Sequence, residues 1–410
     1  MFKRLTSILS KKAGFLSSTR KIQQEADAIR VLVLSEFFRR NLGRTSTNIK
    51  STSISDDVKA YTMDELLDAT PVGEVSMREW LSGLSYQEVL SYNQSNLHHQ
   101  VLQLFRHLHQ VHQHVYITAN TTNQPIDTAF DAADAYSFSK STDNTSEMYQ
   151  MLQELCGFSL HVDTSKVSNI DSTDENDHQL VDGVYIKGKA SAGAVIGFFP
   201  GVTYLRDRVH AGDFKLRLDE RGGKSDYVYM RPDRSLIDGS QRVGLLNSFA
   251  LGHLIRHPSK FKNSSGCHNS NKKRGDGGRS SSGASLVALP NVMTFPFDYP
   301  LEDGKEELSD GIISKIDENS NIDDVSTLRP SNFFPIELRP YIPNAYNTPP
   351  GMLSPESSRE SFAQGAVIIA LNDLEDGDEL FCDYRLNPSV PLPKWYCPVD
   401  EERSQKYWGG

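Results

Sequence analysis

Apolar residues recur at helical spacing in the first part of the chain. One such stripe lies within residues 26–38, a second begins near Ser76, and a third spans Leu97–Tyr116. A fourth, shorter stretch, Met148–Leu155, ends just before Gly157, a residue type that commonly caps the C-terminus of a helix. Because spacings of three and four residues place side chains on one helix face, we predict a mainly helical N-terminal region.

After about residue 180 the pattern changes to short apolar runs separated by Gly, Pro and Asp. Apolar runs and period-two alternations predict strands at 184–186, 195–199, 214–218, 227–229, 292–297, 367–371 and 379–382. One further helix is predicted near Val243–His257. The sequence therefore predicts the α+β class, with a β-rich domain of short, mostly antiparallel strands after the helical region.

Three segments of biased composition interrupt the predicted β-rich domain. They lie near 168–182, 263–285 and 302–327 and are rich, respectively, in Asp and Ser, in Ser, Gly and Asn, and in acidic residues. Such compositions supply few side chains for a core, so these insertions are predicted to be exposed, disordered loops. The predicted organisation is a basic segment 1–25, a helical region 26–118, a polar linker 119–146, the β-rich domain 147–386 and a tail 387–410.

The composition fits a soluble protein with enough apolar residues for one large or two ordinary domains. Of 410 residues, 38% are hydrophobic, and the absence of an 18-residue apolar run predicts no membrane partner. Acidic residues outnumber basic ones by 53 to 43, which disfavours a general nucleic-acid binder. The charge is uneven, since nine acidic residues and two lysines lie between Glu302 and Asp324. Four well-separated cysteines disfavour a disulfide scaffold and a four-cysteine zinc site.

Two features of the first 118 residues suggest specific roles. The first 24 residues carry six basic residues and no acidic one, which is typical both of a mitochondrial transit peptide and of a solvated basic tail. We therefore expect an intracellular protein, with mitochondria, cytoplasm and nucleus as alternatives. Six of the twelve histidines lie between His98 and His114, but no acidic residue lies between Asn93 and Ala119. This favours a polar helix face over a metal site.

Four short motifs of the β-rich domain follow one another in a characteristic order. They are a glycine-containing hairpin at 183–204, Leu236–Gly239, His253–Pro258 rejoined by Pro290–Asn291, and Gly377–Tyr384. Together they resemble the SET-domain family of S-adenosylmethionine-dependent lysine methyltransferases. The last motif, Gly-Asp-Glu-Leu-Phe-Cys-Asp-Tyr, is the most specific. Residues 148–158 and 334–344 further resemble the divergent SET domain-containing protein 9 subfamily, and the whole similarity covers 148–386.

This resemblance implies a β-clip fold with a threaded C-terminal segment. It also implies methyl transfer from S-adenosylmethionine to a lysine of a protein substrate. Carried over by motif, Tyr384 is the catalytic tyrosine, whose hydroxyl lies where the methyl group passes. The implied cofactor-binding residues are Gly183, Tyr185, Arg256, His257 and Asn291, and Phe199 and Phe381 line the substrate channel. No metal is implied.

The chain departs from the family pattern at several positions. Val181 replaces the first glycine of the Gly-x-Gly turn, and Phe199 replaces the channel tyrosine. Arg256 replaces the asparagine that contacts the amino-acid end of the cofactor. A guanidinium repels a sulfonium and an ammonium but attracts a carboxylate. The zinc-binding cysteines that follow the domain in some members are also missing, and tail aromatics such as Tyr396 are candidates to close the site instead.

Two functional hypotheses therefore stay open. The first is an active protein-lysine methyltransferase, which the motifs Gly377–Tyr384 and Pro290–Asn291 favour. The second is a catalytically silent SET-fold protein that acts as a protein-interaction module, which Arg256 and Phe199 favour.

Overall fold

A computed structural model describes a defined part of the chain. The described residues are 19–45, 67, 76–120, 142–165, 182–212, 227–241, 246–258, 289–301, 334–346, 362–386, 392, 396, 398–400 and 404–405. Several predictions fall elsewhere. The basic segment up to residue 18, the centre of the linker, the three insertions apart from Asp182, and the predicted strand at 214–218 lie outside the described residues.

Four α-helices come first among the described elements. They are α1 (Thr19–Thr45), α2 (Met77–Gly83), α3 (Tyr86–Asn120) and α4 (Thr142–Cys156). They confirm the predicted helical region, although α3 begins at Tyr86 rather than near Leu97. A capping box explains this start, because Glu88 N–H donates to Ser85 Oγ (3.3 Å) and Ser85 N–H donates to Glu88 Oε2 (2.6 Å). Gly157, with φ of +84°, follows α4 as predicted.

In the described part of the chain, short strands form three small sheets, none of which closes into a barrel. The strands are β1 (Phe158–Thr164), β2 (Asp182–Gly188), β3 (Val195–Phe198), β4 (Gly201–Tyr204), β5 (Val228–Met230), β6 (Leu236–Asp238), β7 (Val292–Pro300), β8 (Asn344–Tyr346) and β9 (Phe362–Ala370). The sheet orders are β1-β2, β3-β9-β7 and β5-β6-β4-β8. Among the pairs formed by these nine described strands, only β4–β8 is parallel. The predicted α+β class with short, mostly antiparallel strands is thus confirmed. A one-turn helix, α5 (Arg206–Ala211), follows β4.

The predicted helix near Val243–His257 is wrong for the residues described there. Within 246–258 the chain forms only a 3₁₀ turn, Gly252–Leu254, because its backbone is used by neighbouring segments. Phe198 N–H donates to Phe249 O at 3.0 Å, and a Cβ on Gly252 would lie 2.7 Å from Phe198 O. This segment therefore packs its backbone directly against β3, which a helix could not do.

One continuous hydrophobic core joins the helices to the sheets. In α1 nearly every described side chain from Ala26 to Glu36 is buried, as expected for a helix covered on all sides. In α3 the Phe105 ring lies 5.3 Å from that of Phe198 on β3 and 6.1 Å from that of Tyr299 on β7. The helical region and the β-rich domain are thus parts of a single packed unit. None of the described helices is both long and apolar enough to cross a membrane.

Polar contacts fix α1 and α3 against the turn that precedes β3. Gln100 of α3 donates from Nε2 to Gly193 O (3.2 Å), and its Oε1 accepts from Val195 N–H (2.7 Å). Gly193 has φ of +86°, and a Cβ there would collide with the carbonyl oxygen of Leu34 in α1. Asn93 of α3 donates to Ala28 O at 2.8 Å. The backbone of α1 therefore touches the backbone of the sheet region.

We expect Gly193→Ala to destabilise the protein more than an alanine at another glycine with positive φ. Gly212 (φ +89°) is the matched control, since no described atom lies within 4 Å of its added Cβ. The left-handed conformation alone should cost Gly212→Ala about 1–2 kcal/mol. Gly193→Ala should lower the free energy of unfolding by clearly more, because α1 must move away from the new methyl group. Urea unfolding of both variants is the measurement, and equal losses would contradict the close contact with α1.

The histidines of α3 match the predicted polar face only in part. His99 and His114 are exposed on one side of α3, whereas others meet neighbouring elements. His98 packs at 4.8 Å, ring to ring, against Phe334, and His107 Nδ1 lies 3.2 Å from Cys156 Sγ in α4. The His112 ring lies 5.5 Å from that of Tyr341, which belongs to a 3₁₀ segment, Ile336–Tyr341. Burial, followed by the nearby His109, lowers the pKa of His112 to about 4.

This lowered pKa predicts a loss of stability in mild acid. Because the pKa of His112 is lower in the folded protein than its usual 6.5, protonation favours the unfolded state. Neutral His112 therefore has no acid-dependent effect on the free energy of unfolding above pH 6.5. As the pH falls from 6.5 towards 4, the free energy of unfolding decreases by at most about 1.4 kcal/mol per pH unit. His112→Phe should therefore lose less stability than the native protein between pH 6.5 and 4.5 in urea unfolding. Above pH 7.5 the difference between the two proteins should be constant, and parallel curves throughout would contradict the assignment.

Candidate functional site

The segment 379–384 lies between two other segments and is hydrogen-bonded to both. On one side, Cys382 N–H donates to Arg256 O at 2.9 Å. On the other side, Asn291 N–H donates to Phe381 O at 3.1 Å. The predicted strand at 379–382 is therefore a series of isolated bridges, because consecutive residues pair with different partners. Three motifs far apart in sequence thus meet here.

Asn291 connects to this segment through its side chain as well. Its Nδ2 donates to Glu379 O, and its Oδ1 accepts from Phe381 N–H, both at 2.8 Å. Both functional groups of the amide thus bond to backbone, in the manner of a neighbouring strand. Asn291 thus lies beside Tyr384's segment, and the contacts of its side chain fix the backbone of residues 379–381.

Tyr384 is held at both its hydroxyl and its backbone. Its hydroxyl donates to Ile255 O (2.6 Å), and its N–H donates to His257 Nδ1 (3.3 Å). Burial of the hydroxyl, and then the nearby Cys382, raises the pKa of Tyr384, whereas Arg256 opposes this rise. The residue as a whole is still 37% exposed, so part of the ring reaches the surface. The phenol is therefore neutral at physiological pH. Its proton is used in the hydrogen bond to Ile255 O, but its oxygen can still accept a hydrogen bond.

His257 is buried beneath Tyr384 and has a defined tautomer. Because Nδ1 accepts from the backbone, the neutral ring carries its proton on Nε2. Asp383 Oδ1 lies 3.9 Å from Nδ1, too far for a hydrogen bond. The His257 ring stacks on the Tyr396 ring, with 4.5 Å between the ring centroids, so this tail aromatic packs directly on His257. The tail residues Trp395 and Trp408 lie outside the described residues.

A buried carboxylate that the sequence reasoning missed lies beside Gly183. Glu379 is only 4% exposed, and it accepts hydrogen bonds from Ser165 Oγ and from the Tyr185 hydroxyl (3.1 Å). The Tyr185 hydroxyl also lies 2.7 Å from Thr164 O, so one proton serves two acceptors. A Cβ on Gly183 would lie 2.5 Å from Glu379 Oε1. Glu379 therefore occupies the space that a side chain at position 183 would need.

Arg256 contacts the peptide that joins Asp182 to Gly183. Its Nε–H donates to Asp182 O at 2.8 Å, at the start of β2. A guanidinium and the buried Glu379 carboxyl group thus both lie close to the Asp182–Gly183 peptide. The signal that could have found Glu379 is its position in the Gly377–Tyr384 motif, where an acidic residue precedes two buried apolar ones.

The two phenylalanines predicted to line a channel have different surroundings. Phe199 packs on the Tyr229 ring at 5.6 Å, with Ile237 and Ala366, in a small cluster separate from the main core. Burial raises the pKa of Tyr229, whereas the nearby Arg231 opposes this rise. Phe381 is buried and pairs through its backbone with Arg256 and Asn291.

The described residues contain no cluster of three or more His, Cys, Asp or Glu side chains suited to a metal ion. No model of a known protein family matches the chain, and no curated protein matches it significantly.

The contact between Gly183 and Glu379 predicts a strong coupling between the two positions. Gly183→Ala should lower the free energy of unfolding by about 1–3 kcal/mol, because the buried carboxylate must move. In a Glu379→Ala background this cost should largely disappear, leaving only the Ser165 Cβ at 3.1 Å. A double-mutant cycle by urea unfolding measures the coupling. Gly83→Ala, which meets no described atom within 4 Å, is the control and should be additive with Glu379→Ala.

Proposed function

We propose that this protein is a SET-class protein-lysine N-methyltransferase that uses S-adenosylmethionine. The observation that carries the proposal is the convergence of three motif segments on Tyr384. Residues 255–257, Asn291 and 379–384 are adjacent in space although the first and last are more than 120 residues apart. A C-terminal segment held between two earlier ones is also what a β-clip with a threaded C-terminus requires, so we propose that fold as well.

The charged groups near the Asp182–Gly183 peptide suit the amino-acid end of this cofactor. That end carries an ammonium and a carboxylate, and the site offers an acceptor in Glu379 and a donor in the Arg256 guanidinium, both close to this peptide. Tyr185 and His257 contribute aromatic surfaces. Gly183 and Asn291 would take part through backbone atoms, since their side-chain positions are used by protein contacts. When bound, S-adenosylmethionine supplies an electrophilic methyl group on a sulfonium.

The residues of the chain would act on the lysine mainly by placement and by their electrostatic field. The Tyr384 oxygen, whose proton is directed at Ile255 O, can accept an N–H from the lysine amine and so orient it. Its raised pKa keeps the phenol neutral, so it does not compete as a nucleophile. Arg256, which acts electrostatically on Tyr384, also disfavours the protonated form of an approaching lysine. Only the unprotonated amine can attack a methyl group.

A second candidate, the catalytically silent SET-fold interaction module, is favoured by two observations. The space beside Gly183 is filled by Glu379, and Phe199 has no hydroxyl and packs on Tyr229. Cofactor binding separates the two candidates, because only the methyltransferase needs it.

We expect the protein to bind S-adenosylmethionine in titration calorimetry and to methylate lysines in a peptide array when the cofactor is radiolabelled. Tyr384→Phe should bind the cofactor as the native protein does but transfer methyl groups at least about 100-fold more slowly, because the amine loses its orienting oxygen. Tyr299→Phe is the matched control. Tyr299 lies on β7 seven residues after Val292, which corresponds to about 23 Å along the strand. Its buried hydroxyl has no hydrogen-bond partner among the described residues.

Tyr299→Phe should therefore leave both binding and transfer unchanged. A folded protein that does not bind the cofactor would remove the methyltransferase and leave the interaction module. Binding with unchanged transfer in Tyr384→Phe would remove Tyr384 from its role.

A further inference from the structure

Arg385, the residue after Tyr384, has an unusual backbone conformation. Its φ is +48°, in the left-handed region that residues other than glycine seldom adopt. Such a conformation costs about 1–3 kcal/mol and persists only where the surroundings impose it. Arg234 is the other non-glycine residue with positive φ among the described residues, but it lies in the tight turn between β5 and β6, where this is ordinary. Arg385 joins no pair of strands.

The side chain of Arg385 is held by the first helix. Both terminal nitrogens contact the carboxylate of Asp27 in α1, and the Nη2–Oδ1 distance is 3.2 Å. The two side chains are 26% and 15% exposed, and Gln23 also donates to Asp27 Oδ1 at 2.9 Å. Burial alone would lower the pKa of Arg385, but the carboxylates of Asp27 and Asp383 outweigh it and raise the pKa. A two-pronged, partly buried pair of this kind has a strict geometry.

The turn at 383–386 also contacts Arg385 of this ion pair. Arg385 N–H donates to Asp383 Oδ1 at 3.1 Å, and Arg385 Nε lies 3.8 Å from Asp383 Oδ2. The next residue, Leu386, donates from its N–H to the Tyr396 hydroxyl at 3.0 Å. The two residues on either side of Tyr384 are thus restrained by side-chain contacts, one of which leads to α1.

Helix α1 is a firm support for this contact. Its buried face belongs to the main core, Ala28 O accepts from Asn93 of α3, and Leu34 touches Gly193. Glu36 of α1 bonds to Asn96 of α3 at 2.9 Å. The position of Asp27 is therefore set by core packing and not by Arg385.

We propose that Asp27 and Arg385 are positioning residues for Tyr384: α1, through this ion pair, holds the turn at 383–386 and with it the Tyr384 hydroxyl against Ile255 O. The N-terminal helix thereby has a role in the site, although the SET resemblance does not reach that helix. The catalytic part of this role rests on the proposed methyltransferase function, whereas the structural part does not.

The structural part is tested by ¹⁹F NMR of the full chain labelled with 3-fluorotyrosine. Tyr384→Phe and Tyr299→Phe assign two of the 16 tyrosine signals. Asp27→Asn, which keeps the size of the side chain but removes its charge, should shift or broaden the Tyr384 signal and leave that of Tyr299 unchanged. Glu36→Gln is the matched control, because Glu36 is a buried acid of the same helix whose partners are Arg39 (2.7 Å) and Asn96. It should leave the Tyr384 signal in place.

Rescue distinguishes positioning from general loss of stability. Asp27→Arg combined with Arg385→Asp restores an ion pair with reversed charges, and aspartate tolerates positive φ better than most residues. The double variant should return the Tyr384 signal towards its native position. If Asp27→Asn does not fold, Arg385→Lys, which keeps the charge but loses the two-pronged contact, takes its place. An unmoved Tyr384 signal in a folded variant, or an equal shift in Glu36→Gln, would overturn the proposal.

The catalytic part is tested by kinetics on the same variants. Asp27→Asn should lower kcat about 10- to 100-fold while the cofactor affinity from calorimetry stays within about twofold, because only the placement of Tyr384 changes. Glu36→Gln should alter neither value. If the native protein does not bind S-adenosylmethionine, the methyltransferase proposal fails, and the NMR result still decides whether α1 positions Tyr384.

Discussion

The backbone of residues 379–384 needs partners from three distant parts of the chain. Leu380 N–H donates to Val184 O in β2, Cys382 N–H donates to Arg256 O, and Asn291 bonds through its backbone and both groups of its amide. Buried peptide groups without partners are costly, so these segments are stable only together. This requirement brings Tyr384 and His257 into contact, and it explains why the segment forms bridges with changing partners instead of a regular strand.

The helical region packs directly on the sheets that carry the candidate site. Phe105 of α3 packs between β3 and β7, and α1 lies so close to the turn before β3 that only glycine fits at position 193. Without α1 and α3, the aromatic side chains of β3 and β7 would be exposed to water, which is unfavourable for large apolar surfaces. The helices that no family motif covers therefore support the sheets, and through Asp27 they reach the residue next to Tyr384.

Local charge pairs, and not the net charge of −10, define the electrostatics of the candidate site. The acidic excess is concentrated near 302–324, whereas the site combines Arg256, the buried Glu379 and the pair of Arg385 with Asp27. The resemblance to the SET-domain family implied that Tyr384, His257, Arg256 and Asn291 would be close. It did not indicate Glu379 or Asp27, because a single acidic residue in a strand-like motif or in a helix carries no mark of the partner it will meet.

The four helices, five of the nine described strands (β2, β3, β5, β7 and β9) and the glycine that follows α4 could be predicted from the sequence. These depend on local spacing and on residue type, which a pattern of apolar and polar positions reports directly. Tertiary structure decided the 3₁₀ turn at Gly252–Leu254, the filling of the space beside Gly183, the burial of α3 histidines and the contact of Asp27 with Arg385. The physical reason is that each of these depends on which surface packs opposite. Periodicity identifies a buried face, but only the folded chain supplies its partner, here across as many as 358 residues.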